Sequence, residues 1–296
     1  MKKRLLFIYN PHSGTGAIKP VLSDILDVMT KAGYDVMVYP TQSSKDAVGK
    51  VAEEAGDFDR IVCAGGDGTL DEVVTGVMQG GHHIPIGYIP CGSTNDFGNS
   101  LGISKDMLKA AATAVDGTPI SLDLGCIEED YFVYVAAFGI FTETSYQTPQ
   151  EMKNVLGHMA YVLEGVKQLK DVTSYRMQIE TGGNVIYDEF IYGMVTNANS
   201  VGGFKGLVGE NVDMSDGLFE VTLVRMPKNP LEFNDILSYL SGLSKDSEFV
   251  ISFKTDKIKF ISAEEVPWTF DGENGGKRME LAIENMNKAV EIVVES

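Results

Sequence analysis

The chain has 296 residues, of which 44% are hydrophobic, and its 42 acidic against 24 basic side chains give a formal net charge of −18. This length favours two domains, and the negative charge disfavours nucleic-acid binding because a phosphate backbone would be repelled. The three cysteines form no CxxC pair, so neither a zinc site nor a disulfide framework is expected, and a cytoplasmic protein is the simplest interpretation.

Apolar runs alternate with amphipathic segments through residues 1–123. Strands are predicted at 5–9, 36–39, 61–64 and 84–89. A helix is predicted after each strand, and two of these helices are expected to start at Ser44 and Ser104. Repeated β-α units of this kind indicate an α/β domain with a mostly parallel sheet, covered by helices on both faces.

Short runs rich in β-branched and aromatic residues dominate the rest of the chain. These runs are 131–137, 175–179, 190–196, 218–224, 249–253, 257–261 and 279–283. They predict an antiparallel β-sandwich domain over 124–285, interrupted by helices at about 150–169 and 231–243. A last run, 289–294, either closes this domain or returns to the first domain, which 286–296 would then complete. The longest apolar stretch, 131–141, is far shorter than the ~20 residues that span a bilayer.

Three loops rich in glycine and small polar residues follow predicted strands: 10–14 (NPHSG), 65–69 (GGDGT) and 90–96 (PCGSTND). Ligands of open α/β sheets bind beyond such strand ends, and glycines let backbone N–H groups approach phosphate oxygens closely. The helix after Thr69 adds a partly positive N-terminus. Bare phosphates would repel Asp67, so its presence predicts a bridging Mg²⁺. Neither the P-loop nor the dinucleotide-binding fingerprint occurs in the sequence.

The segments NPHSG, GGDGTLDEV and GSTNDF, in this order and spacing, resemble the diacylglycerol kinase catalytic family, especially its soluble bacterial lipid kinases. Later segments also match: TQSSKDA from Thr41, NANSVGG from Asn197, DGLFEV from Asp216 and DGE from Asp271. The resemblance implies a two-domain lipid kinase, with an ATP-binding α/β domain and a lipid-binding β-sandwich. It would transfer the γ-phosphoryl group of ATP to a lipid hydroxyl, with diacylglycerol as the first expected acceptor and phosphatidic acid as the product.

The resemblance also implies the residues of two binding sites. ATP is expected to contact Asn10, Pro11, His12, Ser13, Gly14, Thr41, Gly65, Gly66, Asp67, Gly68, Thr69, Glu72, Thr94 and Asn95. A structural Mg²⁺ is expected to bind Asp213, Asp216 and the backbone carbonyl of Leu218. Oxygen ligands at such short intervals suit a hard cation. Without the resemblance, Asp213 and Asp216 alone would indicate only a solvated turn.

Glu273 occupies the position of the family's proton acceptor. A carboxylate there can take the proton of a lipid hydroxyl as the hydroxyl attacks the γ-phosphorus. Asp271 is the second candidate for this catalytic role. From the residues alone, the segment 271–276 (DGENGG) favours a polar hairpin turn instead. Asp71 and Asn99 depart from the family's usual Asn and Arg, which weakens any inference about the identity of the lipid.

The expected partners are ATP and a lipid substrate at a membrane surface, with no nucleic acid, and the resemblance also allows a homodimer. The protein is expected in the cytoplasm, at most peripheral at the inner face of the membrane. An amphipathic segment at 151–172 either contacts that membrane or packs on the β domain. Two alternatives stay open: an NAD kinase, which shares GGDGT but phosphorylates a dinucleotide, and a regulatory protein that binds nucleotide or lipid without catalysis.

Overall fold

The computed structural model describes residues 2–93, 95–128, 130–140, 172–199, 212–240 and 242–296. The chain divides into two compact units. The first unit contains residues 1–124, 129–133 and 286–296, and the second unit contains residues 125–128 and 134–285. No helix within the described residues has the length and apolar composition needed to cross a bilayer.

Neighbouring strands run parallel in the first unit. Their order is β2 (Tyr34–Pro40), β1 (Lys3–Tyr9), β3 (Arg60–Gly65) and β4 (Ile86–Pro90). Residues 292–293 of a long strand, β13 (Glu273–Val294), pair in parallel with 86–87 of β4. Successive rather than alternate residues are buried in β1, β3 and β4, which is the pattern of strands covered on both faces.

Helices connect or follow these strands. They are α1 (Leu22–Lys31), α2 (Asp46–Glu54), α3 (Asp67–Gln79), α4 (Asp96–Ser100) and α5 (Met107–Asp116), with short 3-10 turns at Lys19–Val21 and Ala55–Asp57. The predicted starts of α2 and α5 were too early in the chain. Lys45, with φ 65°, precedes α2 directly. Asp106 caps α5, because its carboxylate accepts the N–H groups of Leu108 and Lys109.

Antiparallel strands make up the second unit, and this part of the fold prediction is confirmed. The strands are β7 (Val135–Gly139), β8 (Tyr175–Thr181), β9 (Asn184–Thr196), β10 (Phe219–Arg225), β11 (Val250–Thr255), β12 (Lys257–Phe270) and the first part of β13. Two further strands, β5 (Thr118–Ile127) and β6 (Asp130–Phe132), precede them in the chain and pair with each other. The helix predicted at 231–243 is α6 (Pro230–Leu240). The helix predicted at 150–169 lies outside the described residues.

The long strands β9 and β12 each pair with three strands: both pair with β7 and β8, and in addition β9 pairs with β10 and β12 pairs with β13. β9 pairs with β8 along 184–190 and with β7 along 192–196. β12 pairs with β8 along 258–262 and with β7 along 268–270, and its pairing with β13 shifts register between 261 and 266. The pairings therefore close a circuit of four strands, β7–β9–β8–β12.

Aromatic side chains form one core within this circuit of strands. The ring centroids of Phe138 and Trp268 lie 4.9 Å apart, and those of Phe260 and Trp268 lie 5.0 Å apart. Gly193 lies opposite Phe138 in the pairing of β7 with β9, and any side chain at Gly193 would overlap the Phe138 ring. The glycine is required here because it leaves room for the ring.

Candidate active site

Three loops meet at one edge of the sheet in the first unit. They are the first loop (10–14), the second loop (65–69) and the third loop (90–96). The parallel registers place the ends of β1, β3 and β4 level with one another. The Asn10 N–H donates to the Ala64 carbonyl at 2.9 Å, and the Cys91 N–H donates to the Gly65 carbonyl at 2.7 Å. The third loop is therefore bonded to the second loop, and the first loop is bonded to β3 directly before the second loop.

Glycine lets these loops approach one another backbone to backbone. Gly14 has φ +58°, and a Cβ placed on it would lie 2.6 Å from the carbonyl oxygen of Cys91. A Cβ on Gly92 would lie 2.6 Å from the Cα of Gly66. A side chain at Gly14 or Gly92 would therefore force the loops apart, whereas glycine has no atom in the way.

Hydrogen bonds of Asn10 shape the first loop. Its Oδ1 accepts the His12 N–H at 2.9 Å, and its Nδ2 donates to the Thr69 hydroxyl at 3.5 Å. Ser13 and Thr69 are buried, with 9% and 8% of their surface exposed. His12 and Pro11 keep more exposed surface than Ser13. The loop thus presents its outer side to solvent while Asn10 links it to the second loop.

Asn95 organises the third loop. This residue is buried, has φ 52°, and exchanges hydrogen bonds of 2.9 and 2.8 Å with the N–H and carbonyl groups of Gly92. The Tyr88 hydroxyl lies 3.4 Å from Asn95 Oδ1 and 3.3 Å from the Gly65 carbonyl oxygen. Burial raises the pKa of Tyr88 far above its ordinary value, so the hydroxyl stays neutral and donates. Thr94 lies outside the described residues.

Asp67 joins the second loop to the third. Gly66 is the N-cap of the 13-residue α3, and it has no side chain that could accept the first N–H groups of the helix. Gly68, beside Asp67, is partly exposed. The N-terminus of a helix favours anions through its N–H groups and dipole. Asp67 Oδ2 accepts the Asp96 N–H at 3.1 Å, and Oδ1 accepts the Phe97 N–H at 3.4 Å, so Asp67 caps α4. A carboxylate has about four lone-pair sites, so this capping is compatible with a contact to a cation.

Glu72 and Thr41 hold α2 and β2 in place. The Glu72 carboxylate accepts the N–H groups of Lys45 and Ala47 at 2.8 and 3.2 Å, at the start of α2. Thr41 is 8% exposed, and its N–H donates to the carbonyl of Tyr9 at 3.0 Å. Both residues therefore have clear structural contacts, and their contact with ATP stays a prediction.

Asp271 and Glu273 lie on a tight hairpin in the second unit. Asp271 (φ 49°) and Gly272 (φ 82°) form the turn between β12 and β13, and positive φ at both positions is typical of a type I′ turn. Asp271 Oδ1 accepts the N–H groups of Tyr134 and Val135 at 3.0 and 2.9 Å. Asp271 is 5% exposed, whereas Glu273 is exposed. The turn is thus fixed to the start of β7, and Glu273 is the carboxylate of the two that a substrate can reach.

Asp213, Asp216 and Leu218 lie on one short loop before β10. Asp213 Oδ1 accepts the N–H and hydroxyl groups of Ser215 at 3.0 and 2.8 Å, and Asp216 Oδ1 accepts the Leu218 N–H at 2.9 Å. Carboxylate and carbonyl oxygens are the ligands that Mg²⁺ takes. Within the described parts of the chain, no cluster of three or more His, Cys, Asp or Glu is placed to hold a metal ion. A cation here would therefore rest on two carboxylates and one carbonyl.

A cation of the protein itself lies beside this loop. Lys254 Nζ is 3.1 Å from Asp216 Oδ2 and 2.8 Å from Glu220 Oε1. The pairing with Glu220 and then Asp216 raises the pKa of Lys254, while burial raises the pKa of Glu220 against the opposing effect of Lys254. An ammonium at this position shows that the loop favours positive charge, so its residues fit a cation site. The sequence alone did not assign Lys254 and Glu220 to this site, because only the pairing of β10 with β11 places them opposite each other.

Comparison with known proteins points to a single family. Residues 4–127 match a family model described as the diacylglycerol kinase catalytic domain. The diacylglycerol kinase of Bacillus subtilis strain 168 is 35% identical over 277 residues, covering 93% of this chain and 91% of that protein. The diacylglycerol kinase of Staphylococcus carnosus strain TM300 is 36% identical over 280 residues, covering 94% and 90%.

Solved structures share the fold. The crystal structure of a diacylglycerol kinase from Bacillus anthracis str. Sterne has a TM-score of 0.76 at 21% identity, covering 99% of this chain and 97% of that chain. Another structure from the same organism has a TM-score of 0.84 at 24% identity, covering 99% and 96%. The likeness thus extends over both compact units of the chain.

Proposed function

Because this chain belongs to the diacylglycerol kinase family and is therefore a lipid kinase, we propose that it transfers the γ-phosphoryl group of ATP to diacylglycerol, forming phosphatidic acid. The observation that carries this proposal is the meeting of the three loops beside the N-terminus of α3. Such an arrangement offers backbone N–H groups and a helix dipole to phosphate oxygens.

In this proposal the phosphates of ATP lie against the second loop, flanked by the first and third loops. Gly14, Gly66 and Gly92 let the backbone come close to the phosphates, because no side chain intervenes. Asp67 would hold the Mg²⁺ that accompanies ATP, and this ion would offset part of the phosphate charge. The other expected ATP contacts, Thr94 among them, stay predictions.

Glu273 is the proposed general base. It takes the proton of the lipid hydroxyl while the hydroxyl oxygen bonds to the γ-phosphorus and the bond from phosphorus to the ADP oxygen breaks. Asp271 is better described as a positioning residue, because its carboxylate is buried and accepts two backbone N–H groups. It holds the turn from which Glu273 projects.

The second unit is proposed to be a β-sandwich that binds the lipid. Its antiparallel strands and aromatic core suit such a role. Diacylglycerol resides in membranes, so the enzyme would meet its substrate at a membrane surface. A homodimer and a cytoplasmic location stay predictions.

The first experiment measures transfer of labelled γ-phosphate from ATP, with Mg²⁺, to a panel of lipids in mixed micelles. The panel contains diacylglycerol, a sphingoid base, a polyprenol and phosphatidylglycerol, with NAD as a soluble control acceptor. We expect label in diacylglycerol. Label in NAD alone would overturn the proposed substrate, and no label in any acceptor would overturn the kinase proposal.

Glu273→Gln and Glu265→Gln form a matched pair for the base assignment. Both glutamates are exposed, and only Glu273 follows the Asp271–Gly272 turn. We expect Glu273→Gln to lose at least about a hundredfold in turnover, since general-base catalysis contributes roughly 10²–10⁴. ATP affinity should stay within about twofold, and Glu265→Gln should match the parent enzyme. Near-normal turnover in Glu273→Gln would remove Glu273 from the mechanism.

A further inference from the structure

Lys254 bridges two carboxylates that belong to different parts of the second unit. It lies in β11 directly opposite Glu220 in β10, and its ammonium also reaches Asp216 in the loop before β10. Asp216 has its two carboxylate oxygens in different contacts. Oδ1 accepts the Leu218 N–H, whereas Oδ2 faces Lys254. A divalent cation that binds Asp216 would therefore share its carboxylate with the Lys254 ammonium.

We propose that Lys254 competes with a divalent cation for Asp216, and that this competition sets the cation affinity of the loop formed by Asp213, Asp216 and Leu218. The proposal rests on the Mg²⁺ site that the resemblance implies. It adds Lys254 and Glu220, which that expected site did not include. Glu220 is the residue that retains the ammonium when the divalent cation takes Asp216.

The competition follows from distance and charge. Mg²⁺ binds carboxylate oxygens at about 2.1 Å, so an ion on Asp216 would lie within a few ångströms of the Lys254 ammonium. Two cations so close repel each other, and the repulsion weakens binding of the divalent ion. The ammonium therefore has to move away from Asp216 as the divalent ion binds.

The Lys254 side chain has room to move away from Asp216. The Lys254 side chain is 37% exposed, so its long aliphatic part has room to move. The Glu220 side chain is only 6% exposed and would be costly to leave without a cation. Lys254 can thus keep its contact with Glu220 while it gives up Asp216. In the absence of the divalent ion, the ammonium holds Asp216 in place.

The test measures Mn²⁺ binding by electron paramagnetic resonance, on the full chain without nucleotide or lipid. Lys254→Met removes the competing charge, but it also leaves the buried Glu220 carboxylate without its cation. The double variant Lys254→Met/Glu220→Gln removes both charges. It therefore leaves no buried carboxylate without a cation, so a loss of folding cannot be mistaken for a loss of ion binding. Lys257→Met is the control, because Lys257 is exposed and its ammonium pairs with Glu284 rather than with Asp216 or Glu220.

We expect the Mn²⁺ dissociation constant to fall about tenfold in Lys254→Met and in the double variant, and to stay within about twofold in Lys257→Met. Adding Asp216→Asn should abolish the gain. Unchanged or weaker Mn²⁺ binding in both Lys254 variants would overturn the proposal. A gain that survives Asp216→Asn would also overturn it, since the ion would then lie elsewhere. Because no substrate is present, a failure of the proposed lipid phosphorylation would leave this result interpretable.

Discussion

Asp67 and Asp271 are two carboxylates that each accept a pair of backbone N–H groups from a distant segment. Asp67 binds the start of α4, and Asp271 binds the start of β7. The sequence indicated both residues as functional, because they occur in GGDGT and DGE. It could not indicate these contacts, since the partners lie 29–30 and 136–137 residues away.

Asp271→Asn tests whether Asp271 positions the hairpin or takes part in the chemistry. Asparagine tolerates positive φ, and its amide oxygen can still accept from Tyr134 and Val135, so we expect turnover and thermal stability near those of the parent. Asp271→Ala loses both hydrogen bonds and should lower the free energy of unfolding by about 1–3 kcal/mol. Turnover assays and thermal melts measure both variants. Loss of turnover in Asp271→Asn without loss of stability would make Asp271 a catalytic carboxylate.

Gly14→Ala and Gly16→Ala separate close contact from backbone strain. Both glycines have positive φ, +58° and +73°, so alanine is strained at either position. A Cβ at Gly14 would lie 2.6 Å from the Cys91 carbonyl oxygen, whereas at Gly16 its nearest neighbour would be 3.5 Å away. We expect Gly14→Ala to weaken ATP binding about tenfold more than Gly16→Ala, measured by calorimetry. Equal effects would mean that the approach of the first and third loops is irrelevant to the nucleotide.

At the scale of elements, α2 is stabilised by a residue of another helix. Glu72 of α3 accepts the N–H groups of Lys45 and Ala47. The sequence favoured Ser44 as the cap, because serine before an amphipathic segment is the usual local signal. A cap supplied from 25 residues away leaves no such local signal. Helix existence was therefore predictable here, and helix capping was not.

Glu72→Ala should destabilise the first unit by about 1–2 kcal/mol, the cost of losing a helix cap. Glu53→Ala is the control, because Glu53 is an exposed carboxylate of α2. Urea denaturation followed by circular dichroism gives the free energies of unfolding. If the two variants unfold at the same urea concentration, the Glu72 contacts contribute nothing to stability.

At the scale of the whole molecule, residues 286–296 belong to the first unit although they follow the second unit in the chain. Ile292 and Val293 pair with β4 and are buried. Asp123, 1% exposed, accepts the Lys288 N–H at 2.7 Å and the Asn287 amide at 3.1 Å. The first unit is thus built from chain segments that are far apart in sequence.

Ile292→Ala should destabilise the first unit by about 2–5 kcal/mol, because it leaves a cavity beside β4. We expect faster amide hydrogen exchange in peptides of β3 and β4, measured by mass spectrometry. Peptides of β9 and β10 serve as the internal reference. Glu291→Ala, at an exposed neighbour in β13, should leave exchange unchanged. Unaltered exchange of β4 in Ile292→Ala would show that this strand adds little stability.

Strand type was more predictable than strand pairing. Runs of β-branched and aromatic residues indicated antiparallel strands between 124 and 285, and the structure has them. The circuit β7–β9–β8–β12 was not predictable, because β9 and β12 each change partner part-way along their length. The hydrophobic pattern determines which residues face a core, but it does not specify which strand pairs with each half of a long strand.

The late position of residues 286–296 has a consequence for biosynthesis. A ribosome that has released residues 1–124 must still translate about 160 more before the β4-pairing strand emerges, which takes on the order of 10 s at typical elongation rates. During this interval the nascent first unit lacks one of its strands, and the β4 edge is exposed. Such an edge presents unpaired backbone N–H and C=O groups that can pair with another chain, which is a route to aggregation.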